Sequence, residues 1–323
     1  MHTHDIIVIG ASAGGVEALS QLVSGLPAGM RAAVFIVLHI ARQGTSMLPQ
    51  ILSGKGNLPA VHPADGDPIE HGMIYAAPND RHLLVEEGRV VLSRGPRENG
   101  FRPAVDALFR TAAEAYGPRV VGVILTGLLD NGSAGLVRVK ACGGKAVVQD
   151  PAEALFADMP RNALRAVQAD YALPLAQIPA VLAQLAADPV PAAADNPGHN
   201  AQPGPPDAIY TQAAGSVTGL ACPECGGVLV AYQGGAAGDL LRFECHVGHR
   251  YSLHSMQEQH DRATEAALWA AVRALEESRS MARRLQQAAR QANNDEAARA
   301  QAARAQQAEQ HAEPIRQILL GRT

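Results

Sequence analysis

Residues 6–15 read IIVIGASAGG and decide the fold of this chain of 323 residues. The first four are apolar and all β-branched, which is typical of a short strand buried on both faces of a parallel sheet. The glycines that follow predict a tight turn, and residues 15–23 carry the apolar spacing of a helix. A strand that passes through a turn into a helix is the first half of a βαβ unit.

The same alternation of strand and helix continues to residue 187. The predicted strands are residues 6–9, 33–38, 120–125 and 146–148, and the predicted helices are residues 15–23, 103–115, 133–141, 160–166 and 175–187. This order predicts an α/β fold with a doubly wound, mostly parallel sheet. Residues 60–93 depart from it with three short apolar runs, 73–76, 82–85 and 89–92, and a turn sequence at 86–88. These runs predict an antiparallel β insertion.

The composition indicates a globular protein and gives no sign of nucleic-acid binding or membrane insertion. Hydrophobic residues make up 47% of the chain and the formal net charge is −4, with a pI of about 6.3. A core of ordinary size is therefore expected, and no basic excess points to nucleic acid. No apolar run reaches the ~18 residues of a membrane span, and the N-terminus lacks a basic signal-peptide region. We expect a cytoplasmic protein without membrane insertion.

The turn at residues 10–15, GASAGG, has three interpretations. It is a plain strand-to-helix turn, a dinucleotide-binding loop, or a loop that carries a nucleophilic Ser12. The dinucleotide fingerprint requires a glycine where Ser12 stands and an acid at the end of the second strand, where the chain has His39. A serine at a helix N-terminus lies beside free backbone N–H groups that can stabilise an oxyanion, and His39 could be its base.

A third loop strengthens the nucleophile hypothesis. Residues 125–135 read LTGLLDNGSAG and follow the predicted strand 120–125. A serine, a histidine and an acid therefore come from three strand ends, which meet at one edge of a parallel sheet. Such a triad is recognised by geometry and not by chain order.

Six stretches together closely resemble the catalytic domain of the CheB protein-glutamate methylesterases of bacterial chemotaxis. They are IIVIGASAGGVEAL, VLH, IYAAPNDRHLL, FRPAVDALFRTAA, GVILTGLLDNGSAGL and DMPRNAL, and they span residues 6–164. The resemblance implies a doubly wound sheet, a Ser-His-Asp triad and no catalytic cofactor. It implies hydrolysis of glutamate γ-methyl esters on methylated chemoreceptor-type proteins, and possible deamidation of glutamines there. It places the nucleophile at Ser12 and the base at His39.

The acid departs from the family pattern. Aligned without gaps, the catalytic Asp of the family falls on Asn131, and the acid of this chain is one position earlier, at Asp130. Three alternatives remain. The Asp130 side chain is directed at His39 in place of the family's Asp, or Asn131 holds the His39 imidazole less well than an aspartate would. In the third, the protein is a catalytically weak scaffold or a regulatory binding protein. Members of the family usually carry a receiver domain before the esterase, and a first strand at residue 6 predicts that this protein has none.

The C-terminal third has a different composition. Residues 188–214 are rich in Pro, Ala and Gly and predict a linker after a catalytic domain at 1–187. Residues 215–254 contain C-x2-C and C-x3-H pairs around a predicted hairpin of residues 228–232 and 240–243, which is the plan of a zinc ribbon. The expected ligands of a structural Zn²⁺ are Cys222, Cys225, Cys245 and His249, with His246 as the competing fourth ligand.

Residues 255–323 predict a helical tail rich in Ala, Gln, Arg and Glu, with breaks at 293–295 and at Pro314. A narrow apolar stripe at three- and four-residue spacing suits three arrangements, which are packing on the ribbon, a helical hairpin, or self-association. The stripe consists of Leu268, Ala271, Leu275, Ser278, Ala282 and Leu285.

Overall fold

The computed structural model describes residues 2–39, 46–190, 215–234 and 240–321. The strands up to residue 190 are β1 (Ile6–Ala11), β2 (Ala33–Leu38), β3 (Ala60–Val61), β4 (Ile74–Ala76), β5 (His82–Glu86), β6 (Arg89–Ser93), β7 (Val120–Ile124), β8 (Lys145–Gln149) and β9 (Tyr171–Leu173). The helices are α1 (Gly15–Ser24), α2 (Leu48–Lys55), α3 (Val105–Tyr116), α4 (Ser133–Ala141), α5 (Asp158–Ala166) and α6 (Ile178–Ala187).

Seven strands form one parallel sheet in the order β3-β4-β2-β1-β7-β8-β9. Every residue of β1, β2 and β7 is buried, because helices cover both faces of the sheet. One apolar core includes Ile7, Ile9 and Leu19, and the core on the other face includes Val8 and Phe109. The predicted doubly wound α/β fold is confirmed.

The predicted antiparallel insertion is only half right. Strands β5 and β6 form an antiparallel hairpin that turns at Gly88, where φ is +77°. Strands β3 and β4, however, join the main sheet in parallel, with β4 beside β2. The reason is burial, since all three residues of β4 are inaccessible to solvent, as a strand inside a parallel sheet must be.

A second, antiparallel sheet lies near the C-terminus. Its strands β10 (Ser216–Ala221), β11 (Val228–Gly234), β12 (Leu240–Cys245) and β13 (Arg250–Ser252) pair in chain order. We call residues 215–252 of this sheet the C-terminal module. The predicted hairpin is confirmed by the pairing of β11 with β12. Most of the predicted linker, residues 191–214, and residues 235–239 lie outside the described residues.

The chain divides into two compact units, Met1–Met256 and Gln257–Thr323. The sequence separates a catalytic domain at 1–187 from the module at 215–254, whereas the structure groups both in the first unit. The two are joined by hydrogen bonds, among them one from the Asn99 amide to the carbonyl of Arg250 at 2.6 Å.

The second unit is a helical hairpin, formed by most of α7 (Leu253–Gln291) and by α8 (Asp295–Leu319). Arg316 of α8 pairs with Glu276 of α7 at 2.7 Å, and Arg279 of α7 pairs with Glu309 of α8. The predicted break at 293–295 is confirmed by the turn at Asn293.

The predicted break at Pro314 is wrong, because α8 continues through it. The carbonyl of Gln310, which loses its helical donor there, belongs to an exposed residue that water can solvate. In the described residues, no helix is long and apolar enough to cross a membrane.

Candidate active site

Ser12 follows the last residue of β1 and precedes α1. Its backbone N–H donates to the carbonyl of Thr126 at 3.0 Å, and its own carbonyl accepts from the Gly15 amide at 2.9 Å. Gly14 between them has a φ of +71°, which favours glycine. These bonds fix Ser12 at the carboxyl edge of the sheet, where sites of open α/β folds assemble.

Two backbone amides beside Ser12 are available to a ligand. Among the described residues, no acceptor takes a hydrogen bond from the Ala13 or the Gly14 N–H. Both precede the first turn of α1, where the helix dipole adds partial positive charge. The loop therefore offers donors for a developing oxyanion next to the Ser12 hydroxyl.

His39 follows β2, the neighbour of β1 in the sheet. Parallel pairing places Leu38 beside Ala11, and the His39 amide donates to the Ala11 carbonyl at 3.2 Å. The next side chains along the two strands consequently meet, and His39 Nδ1 lies 3.2 Å from Ser12 Oγ. A nucleophile and its base are within hydrogen-bond reach, as the sequence predicts.

The His39 residue is half-buried, and its ring is covered on one face. It stacks on Phe101 with 3.8 Å between ring centroids and 6° between planes. Burial lowers the pKa of His39 to about 3, so the imidazole is neutral at physiological pH and has a free lone pair for a proton. Its other nitrogen, Nε2, is buried and has no hydrogen-bond partner in the described part of the chain. Once Nδ1 takes a proton from Ser12, Nε2–H has no acceptor among the residues that the structure describes.

Gly127 and Met159 line the other side of Ser12. A Cβ on Gly127 would lie 2.8 Å from Ser12 Cβ and even closer to Met159 Sδ, so only glycine fits. Hydrogen bonds from Gly127 N to Phe156 O and from Met159 N to Gly127 O hold the loops together, at 2.9 and 3.0 Å. Sequence reasoning gave Phe101, Gly127 and Met159 no role, although all three lie in the stretches quoted above.

No hydrogen bond joins Asn131 to His39 in the described part of the chain. The Asn131 Oδ1 accepts from the amides of Val105 and Asp106 at 3.0 and 3.2 Å and so caps the N-terminus of α3. Two N–H donors identify the accepting atom as the oxygen. The Nδ2 group is therefore a donor, and it is buried without a partner among the described residues. Asn131 itself is 1% exposed.

The Asp130 carboxylate contacts Ser252 and His254. Its Oδ1 accepts from the Ser252 hydroxyl at 2.7 Å, and its Oδ2 lies 3.4 Å from Nδ1 of His254. Burial raises the pKa of Asp130, and the hydrogen bond from Ser252 opposes the rise. The structure thus joins Ser12 to His39 directly, while Asp130 and Asn131, the two candidates for the third position of the triad, make other contacts.

The three module cysteines and His249 converge. Their ligand atoms all lie within 4.8 Å of one another. The Sγ atoms of Cys225 and Cys245 are 3.6 Å apart, and Nδ1 of His249 lies 3.6 Å from Cys222 Sγ and 3.5 Å from Cys245 Sγ. A tetrahedral zinc ion with ordinary bond lengths needs edges of roughly 3.5–3.8 Å. The donor set fits such an ion.

Two similar turns present these ligands. The Gly226 amide donates to Cys222 O and the Gly248 amide donates to Cys245 O, both at 2.8 Å. Both glycines have a positive φ, at +71° and +97°. His246, the competing ligand in the sequence, lies instead over Gly227, where a Cβ would come 2.7 Å from its Nδ1.

The model of the CheB methylesterase family matches residues 7–182, which is more than half of the chain. The chain belongs to the CheB methylesterase family. A solved structure, the CheB methylesterase catalytic domain of Thermotoga maritima, is 33% identical, with a TM-score of 0.54. The match covers 57% of this chain and 99% of that domain. The parallel sheet described above is thus the catalytic fold of CheB.

Curated relatives carry matching names. A putative protein-glutamate methylesterase/protein-glutamine glutaminase of Leptospira interrogans is 40% identical over 176 residues, or 54% of this chain and 91% of the relative. Protein-glutamate methylesterase FrzG of Myxococcus xanthus is 37% identical over 56% of this chain and 54% of its own length. The chain therefore spans nearly the whole of the first relative and about half of the second.

Proposed function

We propose that this protein is a serine-dependent protein-glutamate methylesterase that acts on methylated chemoreceptor-type proteins. The observation that carries the proposal is the 3.2 Å contact between Ser12 Oγ and His39 Nδ1 at the carboxyl edge of a CheB-type sheet. Membership of the CheB family supports the substrate class. The names of the relatives add protein-glutamine deamidation as a second reaction of the same site.

Each part of the site has a role in ester hydrolysis. His39 removes the proton of the Ser12 hydroxyl as the oxygen attacks the γ-carbonyl carbon. The amides of Ala13 and Gly14 donate to the oxyanion that forms. His39 then gives its proton to the leaving methoxide, which departs as methanol. Water activated by neutral His39 hydrolyses the acyl-enzyme to glutamate and free Ser12.

Labelling with a fluorophosphonate tests the nucleophile without knowledge of the receptor. We expect the wild-type chain to be labelled at Ser12, and Ser12→Ala and His39→Ala to lose the label. Ser20→Ala is the matched control, because Ser20 lies on α1 and donates only to the Val16 carbonyl among the described residues. Label elsewhere in wild type, or full labelling of His39→Ala, would contradict the proposed pair.

The pH dependence of labelling follows from the buried histidine. Only the neutral imidazole is a base, and burial lowers the pKa of His39 to about 3. We therefore expect the labelling rate to persist as the pH falls from 7 to 5. An imidazole with the ordinary pKa of about 6.5 would be mostly protonated at pH 5 and lose most of its rate. A stopped-flow pH series distinguishes the two results.

A second candidate function is a catalytically weak scaffold that binds receptors. Asn131 favours it, because this residue stands where the family resemblance places the acid, carries no negative charge, and has its oxygen bonded to the first amides of α3. A wild-type chain that binds methylated receptor peptides but reacts with no fluorophosphonate would favour the scaffold.

For the module we propose a structural zinc ion held by Cys222, Cys225, Cys245 and His249. Four protein ligands leave no open position for a reacting water, so the ion would stabilise the fold and take no part in ester hydrolysis. A module of about forty residues has few apolar side chains to bury, and metal binding offsets that deficit. Metal analysis should find one zinc per chain.

A further inference from the structure

The C-terminal module meets the catalytic fold next to the active site. The meeting point is the segment 97–101, between the β5–β6 hairpin and α3. Glu98 and Arg250 form an isolated parallel bridge, in which Arg250 N donates to Arg97 O at 3.2 Å and Asn99 N donates to Arg250 O at 2.6 Å. Strand β13 thus adds to this segment by backbone hydrogen bonds.

Asn99 joins the two parts through its side chain. Its Oδ1 accepts from the Ser252 amide at 2.8 Å and from the Ser255 hydroxyl at 2.7 Å. Its Nδ2 donates to Oδ2 of Asp106 in the first turn of α3, at 2.8 Å. Asn99 is 7% exposed, and Asp106 and Ser255 are also buried. A buried polar network of this kind is costly to break, because each lost partner leaves an unpaired group.

Ion pairs of Glu98 also join the segment 97–101 to α3 and to the module. Glu98 pairs with Arg110 of α3 at 2.6 Å and with Arg250 of the module at 3.7 Å. Although burial alone would raise it, the pKa of Glu98 is lowered to about 2 by these guanidinium groups. The carboxylate therefore stays ionised between its two partners.

The segment continues directly into the active site. The amide of Phe101 donates to the Glu98 carbonyl at 3.0 Å and closes a tight turn through Asn99 and Gly100, both at positive φ. One end of this turn is bonded to the module, and the ring at its other end stacks on His39. A second link is the hydrogen bond from the Ser252 hydroxyl to Asp130, the residue before Asn131.

We propose that the C-terminal module positions the catalytic histidine, with Asn99 as the positioning residue that transmits its docking to Phe101 and His39. This inference rests on the proposed esterase function. Docking of the module holds the turn at 98–101 in place. The turn keeps the Phe101 ring stacked on the His39 imidazole, and this stacking keeps His39 Nδ1 within hydrogen-bond distance of Ser12 Oγ. The module is then a structural part of the esterase site, and its loss loosens His39 although none of the described module residues bonds to Ser12.

The test compares two asparagines that share a backbone conformation. Asn99 and Asn293 have φ values of +55° and +52°, so glycine relieves the backbone at both while it removes the side chain. Asn293 lies in the turn between α7 and α8, in the second unit. Asn99→Gly and the control Asn293→Gly are made in the full chain, with Ser252→Ala as a milder second variant that removes one hydroxyl.

Two readouts are taken. The first is the rate of fluorophosphonate labelling at Ser12. The second is the NMR signal of the His39 ring in histidine-labelled protein, assigned among the 12 histidines by its loss in His39→Gln. Stacking on Phe101 places this signal under an aromatic ring current, so its position reports the stack.

We expect Asn99→Gly to lower the labelling rate tenfold or more and to move the His39 signal toward the position of an unstacked ring. Ser252→Ala should change the labelling rate and the His39 signal in the same direction but by smaller amounts. Asn293→Gly should match wild type in both readouts. Wild-type rate and signal in Asn99→Gly would overturn the inference, as would a slower rate with an unmoved signal. If wild type itself is not labelled, the esterase proposal fails, and the His39 signal alone decides whether the module positions the ring.

Discussion

Asn131→Asp should raise the esterase rate by a factor of ten or more. When His39 Nδ1 takes the proton of Ser12, the ring becomes an imidazolium whose Nε2–H is buried without an acceptor among the described residues. Asn131 stands where the family resemblance places the acid, its oxygen already caps α3, and its NH2 group is buried without a partner among the described residues. We expect an aspartate to keep one oxygen on the α3 amides and to offer its second oxygen, with the negative charge, to the imidazolium.

The serine proteases set an upper bound on the expected gain in esterase rate. In serine proteases, the reverse change of the triad aspartate to asparagine costs about 10⁴ in rate, or about 5–6 kcal/mol of activation free energy. Methanol release from a peptide with a glutamate γ-methyl ester measures the rate. Asp130→Asn is the matched control, since it keeps an oxygen for Ser252, and its rate should stay close to wild type. An unchanged rate in Asn131→Asp would remove Asn131 from the triad.

The aspartate variant should also change the pH profile. A carboxylate near His39 stabilises the protonated ring and raises its pKa from about 3. Because the base form exists only above that pKa, the acid limb of the profile should move to higher pH in Asn131→Asp.

Cys222→Ser should release the zinc ion and abolish the fold of the module. Structural zinc binding contributes on the order of 10 kcal/mol in small domains, which exceeds what the small core around Leu229, Phe243 and Tyr251 supplies. Because the module docks on Asn99 and Asp130, we expect the reactivity of Ser12 to fall along with the metal.

Cys142→Ser is the matched control for that experiment. Cys142 is the one cysteine outside the cluster and follows α4 in the catalytic fold. Zinc content by atomic emission, backbone NMR of the module and fluorophosphonate labelling should all remain at wild-type values in this variant. Retention of one zinc per chain by Cys222→Ser would contradict the proposed ligand set.

The sequence predicts the catalytic sheet because its signals are local. Strands such as Ile6–Ala11 and Ala33–Leu38 are continuous apolar runs, which identify a parallel sheet covered on both faces. The contact of Ser12 with His39 follows from the same rule, since adjacent parallel strands end at one edge. Strand β4 was harder to place, because three buried residues fit either an insertion or the main sheet.

The part of the site that the sequence could not predict depends on long-range contacts. The sequence around Asn131 does not indicate that its side-chain oxygen caps a helix beginning at Val105. Asp130 bonds to Ser252, 122 positions further along the chain, and Asn99 reaches Ser255. A composition change at residue 188 marks a linker but carries no information on where the next module docks.

The most direct test of the account is to find the acyl-enzyme. A peptide with a glutamate γ-methyl ester is mixed with the wild-type chain, quenched in acid within the first turnover, and digested for mass spectrometry. We expect the glutamyl adduct, formed with loss of methanol, on the peptide that contains Ser12, and neither adduct nor methanol release from Ser12→Ala. Methanol release at the wild-type rate by Ser12→Ala, or an adduct on another residue, would contradict the account.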